Sequence, residues 1–343
     1  MSRVLVVSLL SAGLLLAAPA AAEDPRCNPA DPLAATHVYL SNGVHNDCGC
    51  DPPAQCDFSG EPGRPPDPLY PEHWTAEWTL YQVFEHYQVF PPPYTNPPEN
   101  LTQSDYRVSR GSSYYDASYV PTDGDGIGAM MEFYGYDQCL PIFPLRNDYT
   151  CAFVSLGNKA YFLNYGKVAV GPAENGARPP QGAKPSCCRF SDFNHPPRRD
   201  FIKHVPYSPE DSTHLGGTIQ AYAYEPAPGL LFAYAFYKDR TVTDPRTGET
   251  FQLPQSFYFS GQPTDPPDAP IVSQNYESFR IEKPGAEIWA IAREACTPEP
   301  EWCCLFATDC PGANPQADAQ GLGTEAVNTN WSNLSPPVRP EVD

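Results

Sequence analysis

Basic side chains are scarce. Lys and Arg total 21 against 41 Asp and Glu, a formal charge of −20, and no basic block interrupts the acidic background. Nucleic-acid phosphates need clustered cations, so nucleic acid is not an expected partner. Long apolar runs are scarce too. Past residue 22 nothing approaches the ~20 residues that cross a bilayer, and no transmembrane segment is expected once a leader is removed. Several catalytic signatures are missing: no Gly-x-Ser-x-Gly elbow, no His-Glu-x-x-His, no Gly-x4-Gly-Lys phosphate loop, and no Gly-x-Gly-x-x-Gly after a strand. Gly124-Asp125-Gly126-Ile127-Gly128 has the wrong spacing and reads as a turn. No cofactor is implied, and no catalytic residue or metal site is assigned.

Proline, aromatic rings and cysteine are plentiful. The 43 prolines among 343 residues are over twice the usual ~5% and leave little room for long helices. The aromatic fraction of 13% argues for a packed interior. Residues 1–22 read as a secretory signal: Arg3, an apolar run, then Ala20-Ala21-Ala22 before the polar Glu23-Asp24-Pro25. A secreted or extracytoplasmic location follows.

In an oxidising compartment the 12 cysteines read as six disulfides. They fall into three groups: Cys27, Cys48, Cys50 and Cys56; Cys139, Cys151, Cys187 and Cys188; Cys296, Cys303, Cys304 and Cys310. Connectivity is open, with Cys139–Cys151 the best single pairing because both flank an expected hairpin loop. The adjacent pairs Cys187-Cys188 and Cys303-Cys304 are each expected to staple distant segments rather than close on themselves. Zinc at His45, Cys48, Cys50 and Cys56 is disfavoured by the Cys-x-Cys spacing. Asn100, Asn330 and Asn333 head glycosylation sequons.

Four segments are expected: the leader 1–22, a Pro/Cys-rich stretch 23–70, an antiparallel β domain 71–296, and a Cys-containing segment with a disordered acidic tail, 297–343. Period-two alternation through Trp74, Ala76, Trp78 and Leu80 predicts a strand, against a helical reading through Trp74, Trp78, Tyr81 and Phe84. Further strands are predicted over 106–119, 129–136, 149–156, 159–165, 218–224, 230–237, 255–260 and 271–280. Gly157-Asn158 suits a hairpin turn. One short helix is predicted over 286–296. The fold class is therefore mainly β: a curved antiparallel sheet, half-barrel or barrel-like, disulfide-stapled, with one or two short helices.

Thr122-Asp123-Gly124-Asp125-Gly126 lacks the rest of a calcium loop and reads as an acidic turn. The run from His195 to Asp200, with Lys203 and His204, reads as a solvated loop, with an anionic headgroup as the alternative. On residues 230–237, Phe232, Tyr234 and Phe236 share one face, and Leu231, Ala233, Ala235 and Tyr237 share the other. Both faces are at least semi-apolar. They fit either a sandwich core or a sheet curled around an apolar cavity. The candidate wall residues are Trp74, Trp78, Tyr222, Tyr224, Phe232, Tyr234 and Phe236.

Several short motifs carry a resemblance. They are Pro71-x-x-Trp74-x-Ala76, Gly111-Ser112-Ser113-Tyr114-Tyr115-Asp116, Cys151-x-Phe153 to Gly157, Ala160-Tyr161-Phe162, Cys187-Cys188, and Leu215-Gly216-Gly217 to Phe232-x-Tyr234. On these, residues 71–296 resemble the secreted ependymin-related and LolA-like proteins. The resemblance implies a curved half-barrel with helix lining its hollow. It also implies binding of a lipid or other hydrophobic molecule without catalysis. The stretch before residue 70 and the cysteines after 296 depart from the pattern. An extracellular structural or adhesive glycoprotein is the alternative. An enzyme assembled from distant residues, with His195, His204 or His214 beside buried carboxylates, is a second.

Overall fold

In the computed structural model the described residues are 58–83, 90–122, 126–135, 139, 149–166, 178–180, 182–191, 196–227, 230–260 and 271–303. The leader, the first cysteine group with His45, His195, Cys304, Cys310, Asn330, Asn333 and the acidic tail lie outside them.

The described chain builds one sheet of eleven strands and one α-helix. The strands are β1 (His73–Val83), β2 (Tyr106–Asp116), β3 (Ala129–Tyr134), β4 (Thr150–Leu156), β5 (Lys159–Gly166), β6 (Ser186–Ser191), β7 (Tyr207–Ser208), β8 (Ile219–Ala227), β9 (Leu230–Thr243), β10 (Thr250–Ser260) and β11 (Ile271–Arg280). The helix is α1 (Ala286–Ala295). The sheet order is β6-β5-β4-β3-β2-β1-β11-β10-β9-β8-β7, with every neighbouring pair antiparallel. Two meanders therefore run outward from the central β1–β11 pair. The tightest connections, of two residues, join β4 to β5 and β8 to β9, while β1, ending at Val83, and β2, starting at Tyr106, are joined by a long one.

All nine predicted strands are present, and Trp74 to Leu80 is strand rather than helix. Two strands were not foreseen. β6 is built around Cys187-Cys188, where no alternation shows, and β7 has two residues. β9 runs six residues past its predicted end, to Thr243, and β10 begins at Thr250, ahead of Pro254. Pro254 is tolerated because the β9–β10 register shifts on both sides of it. At the β4–β5 turn Gly157 has φ 61°, a left-handed value suited to the first position of a glycine-led hairpin turn.

One sheet face carries a single continuous aromatic cluster. It reaches from Phe162 and Cys188 on one wing to Tyr222 and Phe236 on the other. The opposite face carries three separate clusters. α1 covers the first, packing Trp289 and Ala292 toward Met131, Phe133 and Val154; the second gathers at Tyr81 and Tyr94; the third at Ile219, Ala233 and Tyr258. The Tyr70 ring lies 5.6 Å from both Trp74 of β1 and Phe236 of β9, strands three places apart in the sheet and so ~14 Å apart along a flat one. The continuous face is therefore the inside of an open, curved sheet.

Both sheet edges are blunted. β7 is too short to recruit a partner. Along β6, Arg189 exchanges backbone hydrogen bonds with Glu301 and Cys303, so the segment after α1 covers that edge. Three disulfides hold the described chain. Cys139–Cys151 bonds as predicted, and Cys187 and Cys188 staple two distant positions, Cys296 and Cys303.

Candidate functional site

The candidate site is the inner face of the curved sheet. Alternation along β1 aims Trp74, Ala76, Trp78 and Leu80 inward, and the register carries that face across the sheet. One row runs Trp78, Gly111, Tyr134 and Cys151; the next runs Ala76, Ser113, Glu132, Phe153 and Phe162. In the other wing a row runs Leu80, Gln274, Phe257, Tyr234 and Tyr222. A bulge between β1 and β11 puts both Tyr276 and Phe279 opposite inward residues of β1, three positions apart instead of two.

Six of the seven predicted wall residues lie in this one cluster, all buried: Trp74, Trp78, Tyr222, Phe232, Tyr234 and Phe236. Tyr224 pairs with Phe232 in the β8–β9 register, and its side chain lies outside the described residues. The predicted wall left out further rings of the cluster, among them Tyr70, Tyr115, Tyr134, Phe153, Phe162, Phe201 and Tyr276, and the acid Glu132. Parity was the available signal for Glu132, since it shares a face with Met130 and Tyr134.

The hollow is occupied by the protein's own chain. Residues 58–71 and 196–205 cross it, and the Pro206 carbonyl that follows accepts from Ala223 N of β8 at 2.9 Å. The loop expected to be solvated turns inward because Phe201, Ile202 and Val205 supply it with an apolar side. Phe201 stacks on Tyr70 at 5.5 Å and meets Tyr234 edge-on at 5.0 Å. Tyr115 Oη donates to the Pro197 carbonyl at 2.6 Å. The two covering segments are tied together. Tyr70 N donates to the Arg199 carbonyl at 2.9 Å, and Arg199 Nε donates back to the Tyr70 carbonyl at 2.7 Å. Arg64, 1% exposed at its side chain, donates to the Ile202 and Val205 carbonyls at 2.8 Å each. It also pairs with Asp67 at 2.6 Å and lies 4.8 Å from the Tyr222 ring centre.

Between cover and sheet remains a cavity of about 20 Å³, bounded by Tyr70, Trp74, Tyr115, Met130, Glu132, Pro197, Arg198, Phe201, Tyr234, Phe257 and Tyr276. That is room for about one water molecule. Glu132, 2% exposed, is the acid on its wall. Ser113 Oγ donates to Glu132 Oε2 at 2.7 Å and Gln274 Nε2 donates to it at 3.2 Å, while Trp78 Nε1 donates to Ser113 Oγ at 2.9 Å. Burial pushes the carboxyl up to about 8 despite these donors. Burial likewise raises the Tyr70, Tyr134, Tyr234 and Tyr276 hydroxyls above the ordinary range, with Glu132 adding to each shift. The buried Tyr234 Oη, Trp74 Nε1 and Gln274 Oε1 make no hydrogen bond within the protein.

A second depression, of about 420 Å³, lies on the outer face beside α1. Its bases pair with acids: Arg178 with Glu77, Arg280 with Glu282, and Lys283 with Asp116. His204 Nε2 stands 3.3 Å from Arg198 Nη2, and His214 Nδ1 stands 2.6 Å from the Pro92 carbonyl. Among the described residues no group of acidic, His or Cys side chains is placed to hold a metal, and no helix is long and apolar enough to cross a membrane. Asn100 is exposed in the turn before β2.

Fold and site together define a class: an open, curved, eleven-stranded antiparallel sheet with an aromatic inner face and a covering segment from its own chain. No family model matches the sequence, and no curated protein matches it. Among solved structures it is similar to a domain from Vibrio parahaemolyticus assigned as an outer membrane lipoprotein-sorting protein. That similarity has 9% identity and a TM-score of 0.21, and covers 64% of this chain and 90% of that one. A score of that size carries no argument about function.

Proposed function

We propose that the protein is an extracytoplasmic binding protein that takes a lipid or other apolar molecule against the inner face of its curved sheet. In this reading the segment 196–206 is the displaceable part of the cover. The observation that carries it is the continuity of the ring-lined face beneath a segment that meets the sheet backbone at its end, where the Pro206 carbonyl accepts from Ala223 N of β8. A sheet needing only a stable core could close that face with a second sheet or with α1. Here α1 packs on the outside, and the inside is covered by a segment with one 3-10 turn, Phe201–His204, held by buried Phe201, Ile202 and Val205 and by polar contacts from Tyr70, Tyr115 and Arg64. With room for only about one water, entry of an apolar ligand requires the cover to move. Pockets for drug-sized ligands usually offer ~300–1,000 Å³. Three disulfides and the leader-like residues 1–22 support the extracytoplasmic location.

The filled interior favours a second reading, a structural or adhesive extracellular protein whose rings are all core. Native mass spectrometry of protein purified under mild conditions separates the two. Co-purifying lipid, or a rise in Tm on adding a fatty acid or phospholipid, is the expected result. Ligand-free protein whose Tm no such molecule raises would overturn the binding reading and leave the structural one.

A further inference from the structure

Glu132 brings a carboxyl group into an apolar hollow where, among the described residues, no cation pairs with it. Its partners are Ser113 Oγ and Gln274 Nε2, both neutral donors. Arg198 borders the cavity, but its guanidinium reaches His204 Nε2 at 3.3 Å and Asp200 at 3.9 Å. Seven rings line the same cavity, those of Tyr70, Trp74, Tyr115, Phe201, Tyr234, Phe257 and Tyr276. Tyr234 Oη and Trp74 Nε1, on the cavity wall, and Gln274 Oε1, beside the acid, are buried polar atoms without a partner; the hydroxyl and amide oxygens can accept, and the indole N–H can only donate.

We propose that this cavity seats a primary alkylammonium group, held by the Glu132 carboxylate within the ring cage. The proposal names the polar head of the molecule the hollow takes, and so rests on the binding reading above. Three features converge on that chemistry. Electron-rich ring systems attract a cation, most strongly where it is shielded from water. An ammonium carries three donors and no acceptor, which suits a carboxylate and unpartnered oxygens. The free volume of about 20 Å³ matches a water-sized head and excludes a phosphate or a guanidinium.

Binding would then exchange one positive charge for another. The carboxyl is protonated near neutral pH, so the ammonium enters as the proton leaves. Affinity therefore rises with pH until the carboxyl is ionised. The groups facing Glu132 do not compete. Burial holds the hydroxyls of Tyr70 of the cover, Tyr134 of β3, Tyr234 of β9 and Tyr276 of β11 well above that range, so they stay neutral through it.

The test is thermal unfolding of the full, oxidised chain with methylammonium chloride, against equal NaCl, at about pH 6 and about pH 9. A primary ammonium titrates near ~10.4 and stays largely charged at both. The expected result is a Tm rise of about 3–5 °C at about ten times Kd at the higher pH, several-fold less at the lower pH, and none in Glu132→Gln. No rise at pH 9, an equal rise with NaCl, or a rise retained in Glu132→Gln overturns the proposal. If Glu132→Gln does not fold, the wild-type pH contrast decides, and its absence overturns the proposal. A lone ordered water in the cavity would give no amine response. If a fatty acid or phospholipid binds but methylammonium gives no response, the head-group assignment falls and the binding reading stands. A methylammonium response without binding of any apolar molecule supports the site and removes the larger reading.

Discussion

At the scale of single residues, the inner face depends on positions where size or charge has no slack. Gly111 sits opposite Trp78, and a Cβ there would lie 2.0 Å from the Phe133 carbonyl oxygen and 2.1 Å from the indole. Gly111→Ala is expected to destabilise by about 1–3 kcal/mol through forced repacking. Calorimetry reads this as a lower Tm with the fold retained. Glu132 makes a prediction of opposite sign. Its folded-state value is raised from 4.5 to about 8, so the stability linked to its protonated form is fully present below the unfolded value. It is lost as pH rises through about 8. The gap in unfolding free energy between Glu132→Gln and wild type should widen in favour of the variant across that window, on the order of a few kcal/mol, and then level off. Urea titrations at stepped pH measure it; a gap that stays constant would contradict the buried-carboxyl account. Alternation along β1, β8 and β9 placed Trp74, Trp78, Tyr222, Phe232, Tyr234 and Phe236 on one face, whereas Tyr70 and Phe201, which lie outside the strands, carry no such signal. Glu132 was not, because in Ala129–Tyr134 one acid among Met and aromatic neighbours leaves the strand reading unchanged, and only the register shows what lies beneath it.

At the scale of elements, the cover is fastened by Arg64 more than by burial alone. Arg64→Ala should cost about 3–5 kcal/mol, because it strands Asp67 and two carbonyls beneath the cover. Arg64→Lys should recover little of that, since a single ammonium cannot reproduce the guanidinium fork. Denaturant melts of both variants check it. The stapled pair Cys187–Cys296 and Cys188–Cys303 predicts strong non-additivity. With either bond closed, the other closes only a short remaining loop, so removing one should cost about 2–3 kcal/mol in the chain-entropy picture. Removing both also releases a loop of over a hundred residues, for a total of about 7 kcal/mol. A double variant that loses no more than the sum of the two single variants would contradict this. Strands with alternating Tyr, Phe and Val were readable. β6 was not, because paired cysteines signal a staple and hide a strand. The early start of β10 was not, because a proline tolerated at a register shift reads in sequence as a stop.

At the scale of the whole molecule, curvature decides what the rings do, and no residue pattern states curvature. Apolar residues on both faces of β9 fit a filled sandwich as well as a bent wall. The choice was made by which segments cover each face. α1 lies outside over Met131, Phe133 and Val154, while the chain around Phe201 lies inside. That inward turn was illegible because its prolines and charges, from Pro196 to Asp200, look like solvent-facing loop. Its anchors come from residues more than a hundred positions away, such as Tyr70 and Arg64. The central claim is that the inner face is a binding surface under a movable cover. Amide hydrogen exchange with and without a micelle-free fatty acid tests it most directly. The account predicts that residues 196–206 exchange far faster than β1 and β9, and faster still when ligand displaces them, while the sheet stays protected. A cover that exchanges as slowly as the central strands, unchanged by the fatty acid, would contradict it.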